Sequence, residues 1–134
     1  MKMQHMLSAI TLSLVTSVAW AGLARPVPVE IDFTARFARG DMSTARNSAN
    51  PFEFIGCGVR NRNGGPNFAF CQAGIGEAEG QYLTCYTFDP LLIDAIKSIG
   101  DFSYIQFDWD VDFNCTHIGI STQSFYLPDL KPKK

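Results

Sequence analysis

Residues 102–111 read F-S-Y-I-Q-F-D-W-D-V, and this alternation decides the kind of fold the chain can adopt. Side chains alternate across a β-strand, so Ile105, Phe107, Trp109 and Val111 fall on one face, and Tyr104, Gln106, Asp108, Asp110 and Asp112 on the other. One side apolar and the other polar is the mark of a sheet with one face on a core and one in water. Just upstream, residues 89–100 read D-P-L-L-I-D-A-I-K-S-I-G. Asp89 is placed to cap a helix, Pro90 suits its first position, and Gly100 is placed to end it in a left-handed conformation. Leu92, Ala95, Ile96 and Ile99 form the helical stripe that packs on a sheet, while Asp94, Lys97 and Ser98 face water. Downstream, Asp112-Phe113-Asn114 turns the chain and Cys115–Leu127 returns as the partner strand, with Ile118 and Ile120 on its buried side.

Toward the N-terminus, Tyr82–Thr87 (Y-L-T-C-Y-T) is rich in β-branched and aromatic residues and predicts a strand. Phe52–Val59 and Asn67–Cys71 are apolar, aromatic runs separated by R-N-R-N-G-G-P at 60–66, which signals a hairpin because Gly and Asn accept positive φ in tight reversals. Val27–Phe33 (V-P-V-E-I-D-F) alternates as a first strand. Residues 34–50 are polar and predict a mobile excursion, and Arg39-Gly40-Asp41 inside them reads as an ordinary loop rather than an adhesion signal. The fold expected is α+β: over residues 22–127, a single domain with an antiparallel sheet of about five or six strands, one helix packed on one face, stabilised by disulfides. Phe107, Trp109, Ile96 and Ile99 should lie near its centre.

Residues 1–21 read as a signal peptide, with Lys2 and His5 at the start, an apolar run from Leu7 to Val18, and Ala19-Trp20-Ala21 as a small-x-small cleavage site. The run is shorter than the roughly 20 residues that span a bilayer, and no later stretch is long enough, so no membrane span is expected after cleavage. The address is secreted or periplasmic, an oxidising compartment in which Cys57, Cys71, Cys85 and Cys115 pair. Four cysteines allow three connectivities. Cys57 and Cys71 flank one predicted turn, so 57–71 with 85–115 ranks first; Cys71 and Cys85 flank the glycine-rich connection, so 57–115 with 71–85 ranks second. The chain lacks the C-x-x-C pair of a zinc knuckle or a redox enzyme.

The chain has 11 basic and 13 acidic residues, a formal charge of −2, and Lys2 is the leader's one basic residue, so removing the leader leaves −3. That balance argues against nucleic acid as a partner, because phosphate-backbone affinity needs an excess of clustered Lys and Arg. The charge is uneven, with Arg25, Arg36, Arg39, Arg46, Arg60 and Arg62 in the first half and Asp89, Asp94, Asp101, Asp108, Asp110 and Asp112 in the second. The basic tail, 128–134, is broken by proline and should fray.

Candidate chemistry centres on Asp108-Trp109-Asp110-Val111-Asp112. It is not an EF-hand, which needs Gly at the sixth position and Glu at the twelfth where this chain has Phe113 and Gly119. Carboxylates on one strand face attract a cation such as calcium or a basic partner, or else discourage edge-to-edge aggregation. Asp108 and Asp110, with His117 as the one histidine after the leader, could also serve a glycosidase-like hydrolase, which needs two carboxyl groups flanking a sugar. Arg60 and Arg62, on the tip of the predicted hairpin, read as an anion-binding loop or a solubilising turn. Residues 74–80 (G-I-G-E-A-E-G) imitate a phosphate loop poorly, since Glu77 and Glu79 would repel phosphate. Asn114-Cys115-Thr116 fits a glycosylation sequon only in a eukaryotic secretory pathway. No cofactor motif is recognisable.

The second half, with F-A-F-C-Q-A at 68–73, L-T-C-Y-T-F-D-P at 83–90, S-Y-I-Q-F-D-W-D at 103–110 and S-F-Y-L-P at 124–128, resembles a group of small exported bacterial proteins. The resemblance implies a bacterial envelope address and one continuous domain, and carries no activity. Together the readings point to a non-enzymatic binding or inhibitor-type module for a protein or small-molecule ligand, with the hydrolase and calcium-binding readings as alternatives.

Overall fold

A computed structural model describes residues 22–128; the expected leader at 1–21 and residues 129–134 of the expected tail lie outside the described residues. The described residues form seven strands in two antiparallel sheets rather than the one sheet of five or six strands the sequence predicts. The first sheet holds β1 (Glu30–Asp32), β2 (Phe37–Asp41), β6 (Tyr104–Trp109) and β7 (Cys115–Ser121), in that order. The second holds β3 (Phe54–Arg60), β4 (Phe68–Gly74) and β5 (Tyr82–Thr87). Two helices complete the fold: α1 (Met42–Arg46) and α2 (Pro90–Lys97). The class remains α+β.

The inner faces of both sheets feed one core. On β6, Ile105 and Phe107 are fully buried and Trp109 nearly so, as the alternation predicts. Across the ladder Phe107 lies between Ala38 of β2 and Ile118 of β7. The second sheet contributes Ile55, Ala69, Cys71, Ala73, Leu83 and Cys85. Helix α2 closes the core by touching β3 and β4 of one sheet and β7 of the other. It buries Ile93 and Ile96, with Leu92 and Ala95 half-buried and Ile99 just beyond it packed against the core, so the expected stripe holds but is centred nearer Ile93, which it did not include.

Four local expectations are corrected. Residues 34–50 are not an excursion, since they supply β2 and α1. Asp41 of the Arg39-Gly40-Asp41 stretch is 1% exposed. It accepts from the Thr44 amide at 2.6 Å to start α1, and from the Val27 amide at 2.6 Å to hold the N-terminal segment. Gly100 does not take the left-handed conformation: α2 ends at Ser98, whose amide and hydroxyl both donate to the Ala95 carbonyl, and the Ile99 amide donates to that of Ile96. Finally, β6 ends at Trp109 behind a register shift against β7, so Val111 is 68% exposed rather than buried.

The cysteines join as the first-ranked pairing has it. Cys57–Cys71 ties β3 to β4 at directly opposed positions with Cα atoms 4.0 Å apart, and Cys85–Cys115 ties the two sheets together. Beside the second bond the Tyr86 amide donates to the Phe113 carbonyl at 3.0 Å, and Tyr86 and Asn114 form a parallel bridge, so disulfide and backbone together make a seam between the sheets. Two disulfides are consistent with an oxidising compartment. Among the described residues no helix is long and apolar enough to cross a membrane.

Candidate binding surface

Each sheet turns one face outward, and the sequence-predicted residues divide between the two. On the four-stranded sheet, Tyr104, Gln106 and Asp108 alternate outward from β6. They form a chain of side-chain hydrogen bonds, in which the Tyr104 hydroxyl donates to Gln106 Oε1 and Gln106 Nε2 donates to Asp108 Oδ1, both at 3.3 Å. His117, opposite Asp108 on β7, places Nδ1 3.6 Å from Asp108 Oδ2. On the β1–β2 side, Arg39 lies over the Phe37 ring and pairs with Glu30 at 2.7 Å. Tyr126, in a short 3-10 turn (Ser124–Tyr126), stacks on Tyr104 with ring centres 5.6 Å apart. Burial of the Tyr104 ring raises its phenol above the ordinary value, Arg39 opposing this.

The three aspartates do not share this face. Asp108 lies on it, but Asp110 follows the register shift and turns into the β6–β7 connection. There its Oδ1 accepts from the amides of Asp112 and Asn114, at 2.9 and 2.8 Å, and its Oδ2 accepts from Asn114 Nδ2 at 2.9 Å. The Asn114 side chain and backbone, with the Asp112 amide, hold the Asp110 carboxyl below the ordinary carboxylate value. Its donors come from the turn it folds. Asp112 is exposed. Among the described residues no three acidic, histidine or cysteine side chains cluster to hold a metal ion. The grooves beside Met42 and Phe54, beside Phe33 and Phe113, and beside Pro26 and Tyr126 are lined by residues other than Asp108, Asp110 and His117.

Arg60 and Arg62 belong to a different surface. The strand β4 inverts the usual alternation: its small residues Ala69, Cys71 and Ala73 are fully buried, while Phe68, Phe70 and Gln72 point out. The register places Phe68 beside Arg60, Phe70 between Gly58 and Tyr86, Gln72 between Gly56 and Thr84, and Gly74 between Phe54 and Tyr82. Phe88 continues the row beyond β5, its ring 6.0 Å from that of Phe68. The outward glycines make room for the rings. A Cβ at Gly58 would stand 2.8 Å from the Phe70 ring, and one at Gly74 would collide with the Phe54 ring, so both phenyls lie across bare backbone. Phe54, Tyr82, Tyr86 and Phe88 are 45–64% exposed, a concentration of open aromatic surface that a soluble body rarely leaves without use.

The arginines from the β3–β4 turn fold onto these rings. Arg60 lies 4.7 Å from the centre of the Phe70 ring, and Arg62 5.2 Å from that of Phe68. Among the described residues neither arginine reaches a carboxylate, whereas Arg39 on the other sheet is paired. At the opposite end of β4, Phe54 and Tyr82 also line a groove of about 990 Å³ running toward α1, with Met42, Arg46 and Glu77 on its walls. Sequence reasoning found the two arginines and missed the rings beneath them. The available signal was parity, since Phe68 and Phe70 alternate with Ala69, Cys71 and Ala73, and Tyr82, Tyr86 and Phe88 alternate with Leu83, Cys85 and Thr87. No protein-family model matches the chain, and no characterised protein or solved structure matches it.

Proposed function

We propose that the protein is an exported, non-enzymatic binding module of the bacterial periplasm or exterior, and that it binds through the outer face of β3–β5. The carrying observation is the aromatic platform itself: Phe54, Tyr82, Tyr86 and Phe88 are open to solvent on one sheet face whose β3–β4 end holds two arginines that have no ion-pair partner among the described residues. Rings held on glycine backbone are already ordered before a ligand arrives, which lowers the entropy cost of association. The oxidised cysteines and the leader motif support the address. Against the hydrolysis read from Asp108, Asp110 and His117, Asp110 is engaged in its turn and Asp108 with His117 lies on an open sheet face, so these carboxyl groups do not flank a cleft together.

The test is an amide NMR titration of the oxidised, isotope-labelled protein with fractionated envelope or culture extract. Shifts confined to β3–β5 and lost in a Phe54→Ser/Tyr86→Ser/Phe88→Ser variant support the reading. Shifts confined to Asp108, His117 and their neighbours would move the binding surface to the other sheet. The three substituted residues are exposed, so the variant should fold with a melting temperature close to that of the parent.

A further inference from the structure

Resting on that reading of the β3–β5 face, we infer that its ligand is a glycan chain of flat, equatorially linked pyranoses carrying spaced carboxylates. Three properties of the face select this chemistry. The first is shape. From the Arg60–Phe68–Phe88 row to the Phe54–Gly74–Tyr82 row is six residues of strand, about 20 Å, and three strands are about 10 Å across between the outer axes. That is a few hundred Å², well short of the roughly 800 Å² per partner of a stable protein interface. It suits a narrow chain lying along the strands better than a folded partner or a second copy.

The second property is the sequence of surfaces along that track. Aromatic rows stand at both ends, and between them runs a polar row in which Gln72 Nε2 donates to Thr84 Oγ1 at 3.0 Å. A pyranose with equatorial substituents presents C–H bonds above and below its ring, and their slight positive charge meets the negative face of a phenyl or phenol. Its hydroxyl and acetamide groups project sideways, where Gln72 and Thr84 offer both donors and acceptors. An aliphatic lipid chain would leave that row desolvated without hydrogen bonds.

The third property is charge. Arg60 and Arg62 sit at the β3–β4 end without carboxylate partners among the described residues, and each guanidinium offers a fork that matches a carboxylate. Glu77 and Glu79 stand exposed in the β4–β5 connection, at the other end of β4. A chain with a phosphate at every unit, such as single-stranded nucleic acid, would bring anions against those glutamates. A glycan with acidic groups on alternate sugars can seat one carboxylate at the arginines and keep the glutamate end neutral.

The probe is a tetrasaccharide of alternating N-acetylglucosamine and N-acetylmuramic acid. Its uncharged counterpart is the fully N-acetylated chitin tetrasaccharide, called chitotetraose below, which lacks the 3-O-lactyl groups and with them the carboxylates, and an oligothymidylate serves as the polyanion control. Calorimetry and amide NMR are run on the oxidised protein. The expected result is binding of the acidic tetrasaccharide with shifts on β3–β5, weakened about tenfold or more both in chitotetraose and in an Arg60→Gln/Arg62→Gln variant. Phe54→Ser/Tyr86→Ser should weaken both sugars together. Equal binding of the two tetrasaccharides, tighter binding of oligothymidylate, or no binding of either sugar each overturns the inference. If the sugars fail while extract still shifts β3–β5, the ligand assignment falls and the binding face stands; if extract leaves that face unmoved as well, both fall.

Discussion

The outer faces of the two sheets solve the same problem in opposite ways. On β1-β2-β6-β7, the charges answer one another within the protein: Arg39 with Glu30, Asp108 with His117 and Gln106, and Tyr104 under Tyr126. On β3-β4-β5, phenyl and phenol rings lie open beside two arginines whose contacts among the described residues are ring faces and a carbonyl of their own strand. A polar face that is satisfied internally gains little from a ligand, because each new hydrogen bond replaces an existing one. An ordered apolar face beside unpaired cations has much to gain. The acidic motif, the most conspicuous pattern in the sequence, thus lies by the quieter surface.

The comparison is broken most severely by cutting the seam that lets two separate sheets share one core. In a Cys85→Ser/Cys115→Ser variant the loop of 30 residues is no longer closed, which should cost about 3 to 4 kcal/mol in the chain-entropy picture. Chemical denaturation of oxidised material would measure it. The double variant is required because the register sets Cys57, Cys71 and Cys85 side by side on three strands. Removing Cys115 alone would leave the Cys85 thiol next to the Cys57–Cys71 bond, free to exchange with it. A loss no larger than that of an exposed substitution would mean that the sheets hold together without the seam.

The next effect sharpens the contrast from the other side. Asp41 is a charged residue at the end of the central strand β2, buried, with its two carboxylate oxygens spent on the amides of Val27 and Thr44. Asp41→Ala removes a helix cap and leaves the half-buried Val27 and Thr44 amides without their acceptor, at about 1 to 2 kcal/mol. Asp41→Asn keeps one acceptor and should lose less. Hydrogen exchange would show the loss as faster exchange over residues 27–46, with β3–β5 unchanged. Uniform acceleration over both sheets would show that Asp41 supports more than its own corner.

How much of this was legible depends on where the large side chains point. The strand β6 and helix α2 were readable because bulky residues face inward at the right period, and β5 because its aromatic and β-branched residues are contiguous. Strand β2 was not. Its inward residues are Ala38 and Gly40, and a Cβ on Gly40 would meet the Val29 backbone and side chain at 3.1 Å, so the N-terminal segment packs too closely for a large residue. Without a hydrophobic period, F-A-R-G-D-M-S-T-A-R resembles a loop. The platform was hidden by the reverse arrangement, large residues out and small ones in around the cysteines, which defeats a reading that equates apolar with buried. The break between Asp108 and Asp110 depends on a register shift that no local pattern announces.

A smaller effect tests whether Asp110 belongs to its turn. Its carboxyl is held below the ordinary aspartate value of 3.8 by the Asn114 and Asp112 donors, so the charged form favours the folded state. Its stabilisation is therefore present above the unfolded-state value and lost as pH falls through the lower folded-state value. Asp110→Ala should lower the melting temperature at neutral pH, and the gap to the parent should close as the solution is acidified below pH 3.8. A gap independent of pH would remove the carboxylate from the explanation. Calcium should change neither melting curve, and a rise in the parent alone would restore the aspartates as a cation site.

The smallest effect lies at Asp108 and His117. Their side chains are 37% and 56% exposed and 3.6 Å apart, a separation and exposure at which the coupling of an ion pair is a few tenths of a kcal/mol. A double-mutant cycle of Asp108→Asn and His117→Gln should return about 0.5 kcal/mol or less, falling further in high salt. A coupling several times larger would mean that this face stores energy in a specific arrangement, as a binding or catalytic pair does, and the ranking of the two sheets would have to be reversed.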